Sequence, residues 1–147
     1  MDLTLWTVRA SALCYVAALA GVHTRAMWTA GCALFLAHAA AAFHFHHHWS
    51  HAAAEAETAR QTQALFGVAT GSGLWFNYAF ALVWLIDAIW WWSAPARYAA
   101  RPRWLHAAVH GFMAFMFFNG AVVFAAGPTR WLGLAATVWL ITRRFKR

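Results

Sequence analysis

The sequence predicts an all-α fold: an integral membrane bundle of four to five transmembrane helices whose second helix extends beyond the membrane. Composition is the first reason, because 63% of the 147 residues are hydrophobic and 10% are charged, whereas a soluble domain carries about 25% charged residues. Length is the second reason, since four runs approach the roughly 20 apolar residues that cross a bilayer as a helix. Tryptophans are the third: Trp90–Trp92 and Trp104 stand at the ends of such runs, where indole rings prefer the headgroup region.

Five segments follow one another in a single domain that covers residues 1–147. The breaks between them contain glycine or proline, which end helices because glycine favours left-handed caps and proline lacks an amide hydrogen. The last segment is the shortest apolar run, so it either crosses the membrane or lies in its interface, and we favour crossing. The predicted spans are 3–22, 27–48, 74–92, 104–126 and 129–142, with an extramembrane helix over 49–66.

The basic residues are distributed like a topology signal. The net charge is +7, but these residues flank apolar runs, so the expected partner is the lipid bilayer and not nucleic acid. If five segments span, eight basic residues lie on one side and three on the other, which predicts that the first side is cytoplasmic. If the last segment does not cross, the count favours the reverse orientation. We therefore predict a bacterial inner-membrane protein whose histidine-rich residues 44–55 face outward.

The stretch FHFHHHWSHAAAEAE, residues 43–57, contains five histidines and two glutamates directly after the second span. Alanine, glutamate and glutamine favour helix, and no glycine or proline follows before Gly67, so we expect the second helix to continue through this stretch, either straight or with a kink near Trp49 and Ser50. At about 100° per residue, one face of that helix would gather four imidazoles and a carboxylate. These candidate metal ligands are His44, His47, His48, His51 and Glu55.

A transition metal ion is the cofactor that this face suggests. Imidazole nitrogens and a carboxylate bind Zn, Cu and Fe, and spacings of three or four residues bring side chains together on a helix. The face climbs about 16 Å from its first ligand to its last, so one ion cannot contact all five groups. Two ions, one ion completed by another helix, and a polar cap without metal are the alternatives. The predicted function is metal handling or redox chemistry at a histidine-rich helix end.

A second group of ionisable residues is expected near the opposite membrane face. Asp87 lies inside the third span, where a charge is costly, and its expected partner is His106, His110 or an arginine of the following loop. Haem b is the alternative cofactor, because haem takes axial ligands from facing helices at similar depth. The candidate haem ligands are His38, His106 and His110, which would make the protein a subunit of an electron-transfer complex.

Two histidine patterns resemble part of an enzyme signature. HFHHH at 44–48 satisfies H-x-x-H-H, and HAAVH at 106–110 satisfies H-x-x-x-H; both are similar to the histidine boxes of membrane desaturases and hydroxylases. That resemblance implies an enzyme, although the third box of the family is absent and the two patterns are expected on opposite membrane faces. A structural subunit without a cofactor, in a homo-oligomer or a larger membrane complex, is the remaining alternative.

Overall fold

The computed structural model describes the backbone of residues 3–145 and the side chains of residues 3–142. Within this range the chain is helical and contains no strand, which confirms the predicted all-α class. A π-helical turn, Asn119–Val123, directly continues the sixth helix. The helices are α1 (Leu3–Leu19), α2 (Thr24–Phe45), α3 (His51–Phe66), α4 (Gly73–Ser93), α5 (Pro95–Ala99), α6 (Arg103–Phe118) and α7 (Pro128–Phe145).

Three helices in the described part of the chain are long and apolar enough to cross a membrane: α2, α4, and α6 with its π-helical turn. They correspond to the predicted spans 27–48, 74–92 and 104–126. The first predicted span became α1, which is apolar but has 17 residues, about 25 Å at 1.5 Å per residue. The last became α7, which is not among the candidate spans. A membrane protein with three candidate spans is therefore supported, not the full set of four to five.

An aromatic core joins α1, α2, α4 and α6. Tyr15, Trp28, Trp84 and Met113 are each at most 2% exposed, and the ring centroids of the two tryptophans lie 5.4 Å apart. Gly31 permits this packing, since a Cβ there would lie 2.8 Å from the Trp84 ring. The Trp84 Nε1 donates a hydrogen bond to the main-chain oxygen of Trp28 at 3.1 Å, so its buried polar atom is satisfied. This core sets the relative depth of α2, α4 and α6.

The last helix is anchored through its first turns. The Arg130 side chain donates hydrogen bonds to the main-chain oxygens of Val122, Val123 and Ala125 at 2.9–3.1 Å, which satisfies carbonyls left without intrahelical partners where a helix ends. Gly133 lies so close to the π-helical turn that a Cβ would collide with a main-chain oxygen. The first half of α7 is therefore held against the end of α6, and its second half forms one wall of the cleft described below.

Candidate functional site

The predicted continuation of the second helix through the histidine stretch is wrong. A turn at 46–50 separates α2 from α3, because His48 and Trp49 have φ angles of 48° and 59°, which a right-handed helix excludes. Ser50 then starts α3, with its Oγ accepting a hydrogen bond from a first-turn amide at 3.2 Å. Histidine, tryptophan and serine all have lower helix propensity than alanine. The alanines that follow the turn sustain a new helix instead of extending the old one.

The turn places the predicted metal ligands in different surroundings. The Trp49 Nε1 donates a hydrogen bond to the His44 Nδ1 at 3.3 Å, and the His47 ring packs on Phe43 with centroids 5.6 Å apart. His48 is exposed within the turn itself. Across the residues that the structure describes, no three or more histidine, cysteine or acidic side chains converge as a metal site. The single stripe of ligands expected from a continuous helix is not formed.

Two of the predicted ligands do lie near each other at the start of α3. The His51 Nε2 is 4.0 Å from the Glu55 Oε2, one helical turn further on, and the His51 Nδ1 is 3.0 Å from the Tyr78 hydroxyl. The other glutamate of the stretch faces a cation, since Arg60 donates hydrogen bonds to both Glu57 oxygens at 2.8 and 2.6 Å. These bonds lower the pKa of Glu57 to about 2.

The structure does not bring the three candidate haem ligands together. The His38 Nδ1 lies 2.8 Å from the main-chain oxygen of Thr4, at the beginning of α1. The His110 ring instead packs on Trp28, with centroids 5.3 Å apart, and His106 is beside it. Trp28 and His38 are ten residues apart on α2, about 15 Å along the helix axis. One iron cannot bridge that separation.

The intramembrane carboxylate pairs with the loop arginine, one of the three partners that the sequence suggested. The Arg101 Nη1 donates to the Asp87 Oδ1 at 2.6 Å, and the Tyr98 hydroxyl donates to Oδ2 at 2.9 Å. The side chains of Asp87 and Arg101 are 4% and 5% exposed. The short helix α5, which begins with Pro95, brings Tyr98 back onto Trp91, where the two rings stack at 4.7 Å. The loop is thereby folded over the end of α4.

The same arginine holds two histidines of α6. Its Nη2 lies 2.6 Å from the His106 Nδ1 and 3.2 Å from the His110 Nε2, and the two imidazole rings are 4.3 Å apart. Because a guanidinium only donates hydrogen bonds, both of these ring nitrogens must act as acceptors. Neutral His106 therefore carries its hydrogen on Nε2, and neutral His110 carries its hydrogen on Nδ1. Asp87, Arg101, His106 and His110 form one hydrogen-bonded unit, which we call the arginine cluster.

The arginine cluster lies beside a cleft of about 810 Å³. Its walls come from α1, α2, α4, α5, α6 and α7 and are mainly apolar, and its two arginines lie in the loop before α6 and at the first residue of α6. Asp87 is not among the lining residues, because Arg101 covers it. The described residues that line the cleft are Tyr15, Ala18, Leu19, Thr24, Trp28, Trp91, Tyr98, Ala99, Arg101, Arg103, His106, His110, Ala114, Phe117, Thr137, Leu140 and Ile141.

Comparison with known proteins identifies no relative. No family model matches the chain, and no curated protein or solved structure matches it significantly.

Sequence reasoning missed three side chains of the cleft: Tyr15, Trp28 and Tyr98. The first two are among the most buried residues of the described chain, and their positions inside apolar runs gave no sign of a shared surface. Tyr98 did carry a signal, since a hydroxyl in the short loop after α4 is well placed to reach an acid two turns inside that helix. Asp87 has two oxygens, and the second required a donor as much as the first.

Proposed function

We propose that this protein is an integral membrane protein that binds a lipid-soluble ligand in the cleft, with the ligand's polar end beside Arg101, His106 and His110. The observation that carries the proposal is an almost fully buried ion pair, Asp87–Arg101, whose arginine lines a mainly apolar cleft. Ionisable groups inside a membrane span are costly and mark functional sites. A volume of about 810 Å³ also falls within the range of small-molecule sites, roughly 300–1,000 Å³.

The walls of the cleft favour a ligand with a substantial apolar part. Phe117 and Leu140 face the same space as Tyr15 and Trp28, and each Å² of apolar ligand surface removed from water contributes roughly 25 cal/mol. A purely structural contact would need only Asp87, Arg101 and a hydroxyl. The two imidazoles held on the same guanidinium add hydrogen-bonding capacity that such a contact does not require.

The test is identification of what accompanies the purified protein. Protein extracted in a mild detergent is analysed for bound small molecules by mass spectrometry, and the variant Ala114→Phe fills the cleft from α6. Ala108→Phe is the matched control, because Ala108 lies on the same helix, is exposed, and does not line the cleft. We expect an amphiphile at near-equal stoichiometry in the unmodified protein and in Ala108→Phe, and its loss in Ala114→Phe.

Absence of any stoichiometric amphiphile from the unmodified protein would overturn the proposal. Its unchanged presence in Ala114→Phe, with the fold intact by thermal unfolding, would also overturn it. A Soret absorption band lost in Ala114→Phe alone would identify the ligand as haem b. In that case the iron would need a ligand other than the two nitrogens that Arg101 occupies.

Transition-metal binding at the histidine turn is a second candidate function, favoured by the spacing of His51 and Glu55. Their donor atoms are 4.0 Å apart, and two donors on one tetrahedral zinc ion, each about 2.0–2.2 Å from the metal, would be roughly 3.4 Å apart. A small side-chain movement would close that difference. His44, His47 and His48 lie in or beside the neighbouring turn and would supply the further ligands, with Zn, Cu or Fe as the ion.

Metal content of the purified protein tests this second candidate. Replacing His48 and His51 together with Ala is expected to abolish retention of Zn, Cu or Fe while membrane insertion is unchanged. His46→Ala is the matched control, because His46 belongs to the same turn but was not expected among the ligands. Unchanged metal content in the double variant, or equal loss in the control, would exclude the site.

We propose further that α1 and α7 also cross the membrane, with the histidine turn facing outward from a bacterial inner membrane. The support is the distribution of eight basic residues against three under the positive-inside rule. Labelling of single cysteines placed at Glu57 and at Arg97 with a membrane-impermeant reagent, in a background where Cys14 and Cys32 are Ser, tests it. We expect labelling of intact cells at position 57 alone, and labelling at position 97 alone would reverse the orientation.

A further inference from the structure

The charged side chains that line the cleft are cationic, and its four hydroxyls, on Tyr15, Thr24, Tyr98 and Thr137, can both donate and accept. Two guanidinium groups and two imidazoles line it, and none of the described lining residues is a carboxylate. From this lining we infer that the ligand of the cleft carries an acidic head, a phosphate or a carboxylate. The inference rests on the proposed function, because it names the chemical class of the ligand that the cleft binds.

The charge balance of the cleft leaves a positive excess. Arg101 is neutralised by Asp87, whose two oxygens are both occupied by hydrogen bonds. Arg103 also lines the cleft, but no hydrogen bond or ion pair connects its guanidinium to another described side chain. One uncompensated cation next to a mainly apolar volume favours an anion. Arg103 is an exposed residue, so an anionic head gains an attractive interaction with it that a neutral or cationic head does not.

The N-terminus of α6 adds to the positive electrostatic potential of the cleft. Arg103 opens this helix, and no side chain caps its N-terminus, where the preceding residue is Pro102. The first amides of a helix have no intrahelical acceptor, and together with the helix dipole they attract anions. The guanidinium of Arg103 and these amides therefore belong to the same end of the cleft as His106, one turn further along α6.

A buried indole N–H adds a donor that does not belong to the start of α6. Trp28 is 1% exposed, lines the cleft, and its Nε1 has no hydrogen-bond partner within the described structure. A buried indole N–H usually has an acceptor. An acidic head, whose oxygens only accept, matches this set of groups better than any head that donates.

Competition between lipids that differ only in the head tests the inference. The purified protein is exchanged into mixed micelles with equal amounts of phosphatidic acid and phosphatidylcholine of identical acyl chains, and retained lipid is counted by native mass spectrometry. A single charge-assisted hydrogen bond supplies a preference of roughly tenfold or more, and we expect at least that ratio for phosphatidic acid. The variant Arg103→Gln should bring the ratio close to one. Arg97→Gln, an exposed arginine of the same loop that does not line the cleft, should leave it unchanged.

The outcomes separate this inference from the proposed function. Equal retention of both lipids, with both lost in Ala114→Phe, would overturn the acidic head and leave the lipid-soluble ligand standing. A preference that Arg97→Gln reduces as much as Arg103→Gln would assign it to general surface charge and would also overturn the inference. Protection against heating by inorganic phosphate, with neither lipid retained, would support the acidic class from a water-soluble source and overturn the proposed function. If neither lipid nor phosphate binds, both fail.

Discussion

Replacing Asp87 with Asn would leave a cation stranded inside the protein. The exchange keeps the shape of the side chain but removes its charge, while the Arg101 side chain remains 5% exposed. Breaking a buried ion pair by removing one partner costs about 3–5 kcal/mol. The values at the lower end apply if the Asn oxygen keeps the hydrogen bond that Tyr98 now donates at 2.9 Å.

A double-mutant cycle separates the ion pair from the packing around it. Arg101→Met should cost about as much as Asp87→Asn, because it leaves a buried carboxylate and removes the donor that holds His106 and His110. In the double variant no charge is left unpaired. The cost of the double variant should therefore fall below the sum of the two single costs by at least about 2 kcal/mol.

The free energy of unfolding is measured in bicelles by titration with SDS, with the intrinsic fluorescence of the 11 tryptophans as the probe. If Asp87→Asn and Arg101→Met each lower the free energy of unfolding by less than about 1 kcal/mol, Arg101 reaches water and the pair is not buried in the membrane. If the double variant loses as much free energy of unfolding as the two single variants together, within about 0.5 kcal/mol, the two residues do not interact. Either result would remove the physical basis of the arginine cluster.

Two further predictions concern packing and pH. Gly31→Ala should lower the free energy of unfolding by about 1–3 kcal/mol, because its Cβ would meet the Trp84 ring. In the control Gly111→Ala the new Cβ meets nothing within 4 Å, so this variant should raise the free energy of unfolding by up to about 1 kcal/mol. Equal effects of the two substitutions would contradict the close packing of α2 on α4. The pKa of Glu57 is lowered to about 2, mainly by the hydrogen bond from Arg60. The ionised Glu57 side chain therefore stabilises α3 fully above the unfolded-state pKa of about 4.3. This stabilisation is lost as the pH falls toward 2. The protection factors of α3 amides, corrected for the intrinsic exchange rate at each pH, should fall over that range, and this fall should be absent in Glu57→Gln.

The membrane character of the chain could be predicted because it depends on long apolar runs. Span 74–92 differs by one residue at each end from α4, Gly73–Ser93, since glycine and proline mark both of its borders. The first and last predicted segments begin within one residue of α1 and α7, but whether these segments cross the membrane was less well determined. Charged side chains such as Arg9 and Arg130 interrupt their apolar runs.

A kink near Trp49 and Ser50 was an alternative in the sequence analysis, but a complete break of the helix at the histidine stretch could not be predicted from residue types. Left-handed φ angles are uncommon outside glycine, yet His48 and Trp49 both adopt them, and the alanines and glutamates that follow favoured a helix. Asp87 was different, because its burial required a partner whatever the fold. The sequence limited the candidate partners of Asp87 to two histidines and the loop arginines. That Arg101 is the partner depends on how α5 folds back onto Trp91.

The two polar clusters of this protein differ in how much they must reorganise to bind a ligand. In the cleft, Asp87 fixes Arg101, and Arg101 fixes both imidazoles, so a ligand meets donors that are already ordered. At the histidine turn His44, His46 and His48 are exposed and His47 is half-buried. Each side chain that must be ordered for binding costs about 0.5–1.5 kcal/mol. A metal ion there would have to gather at least three of them. The cleft is consequently the stronger candidate site, and metal bound at the turn should be detectable as ordering of residues 46–50.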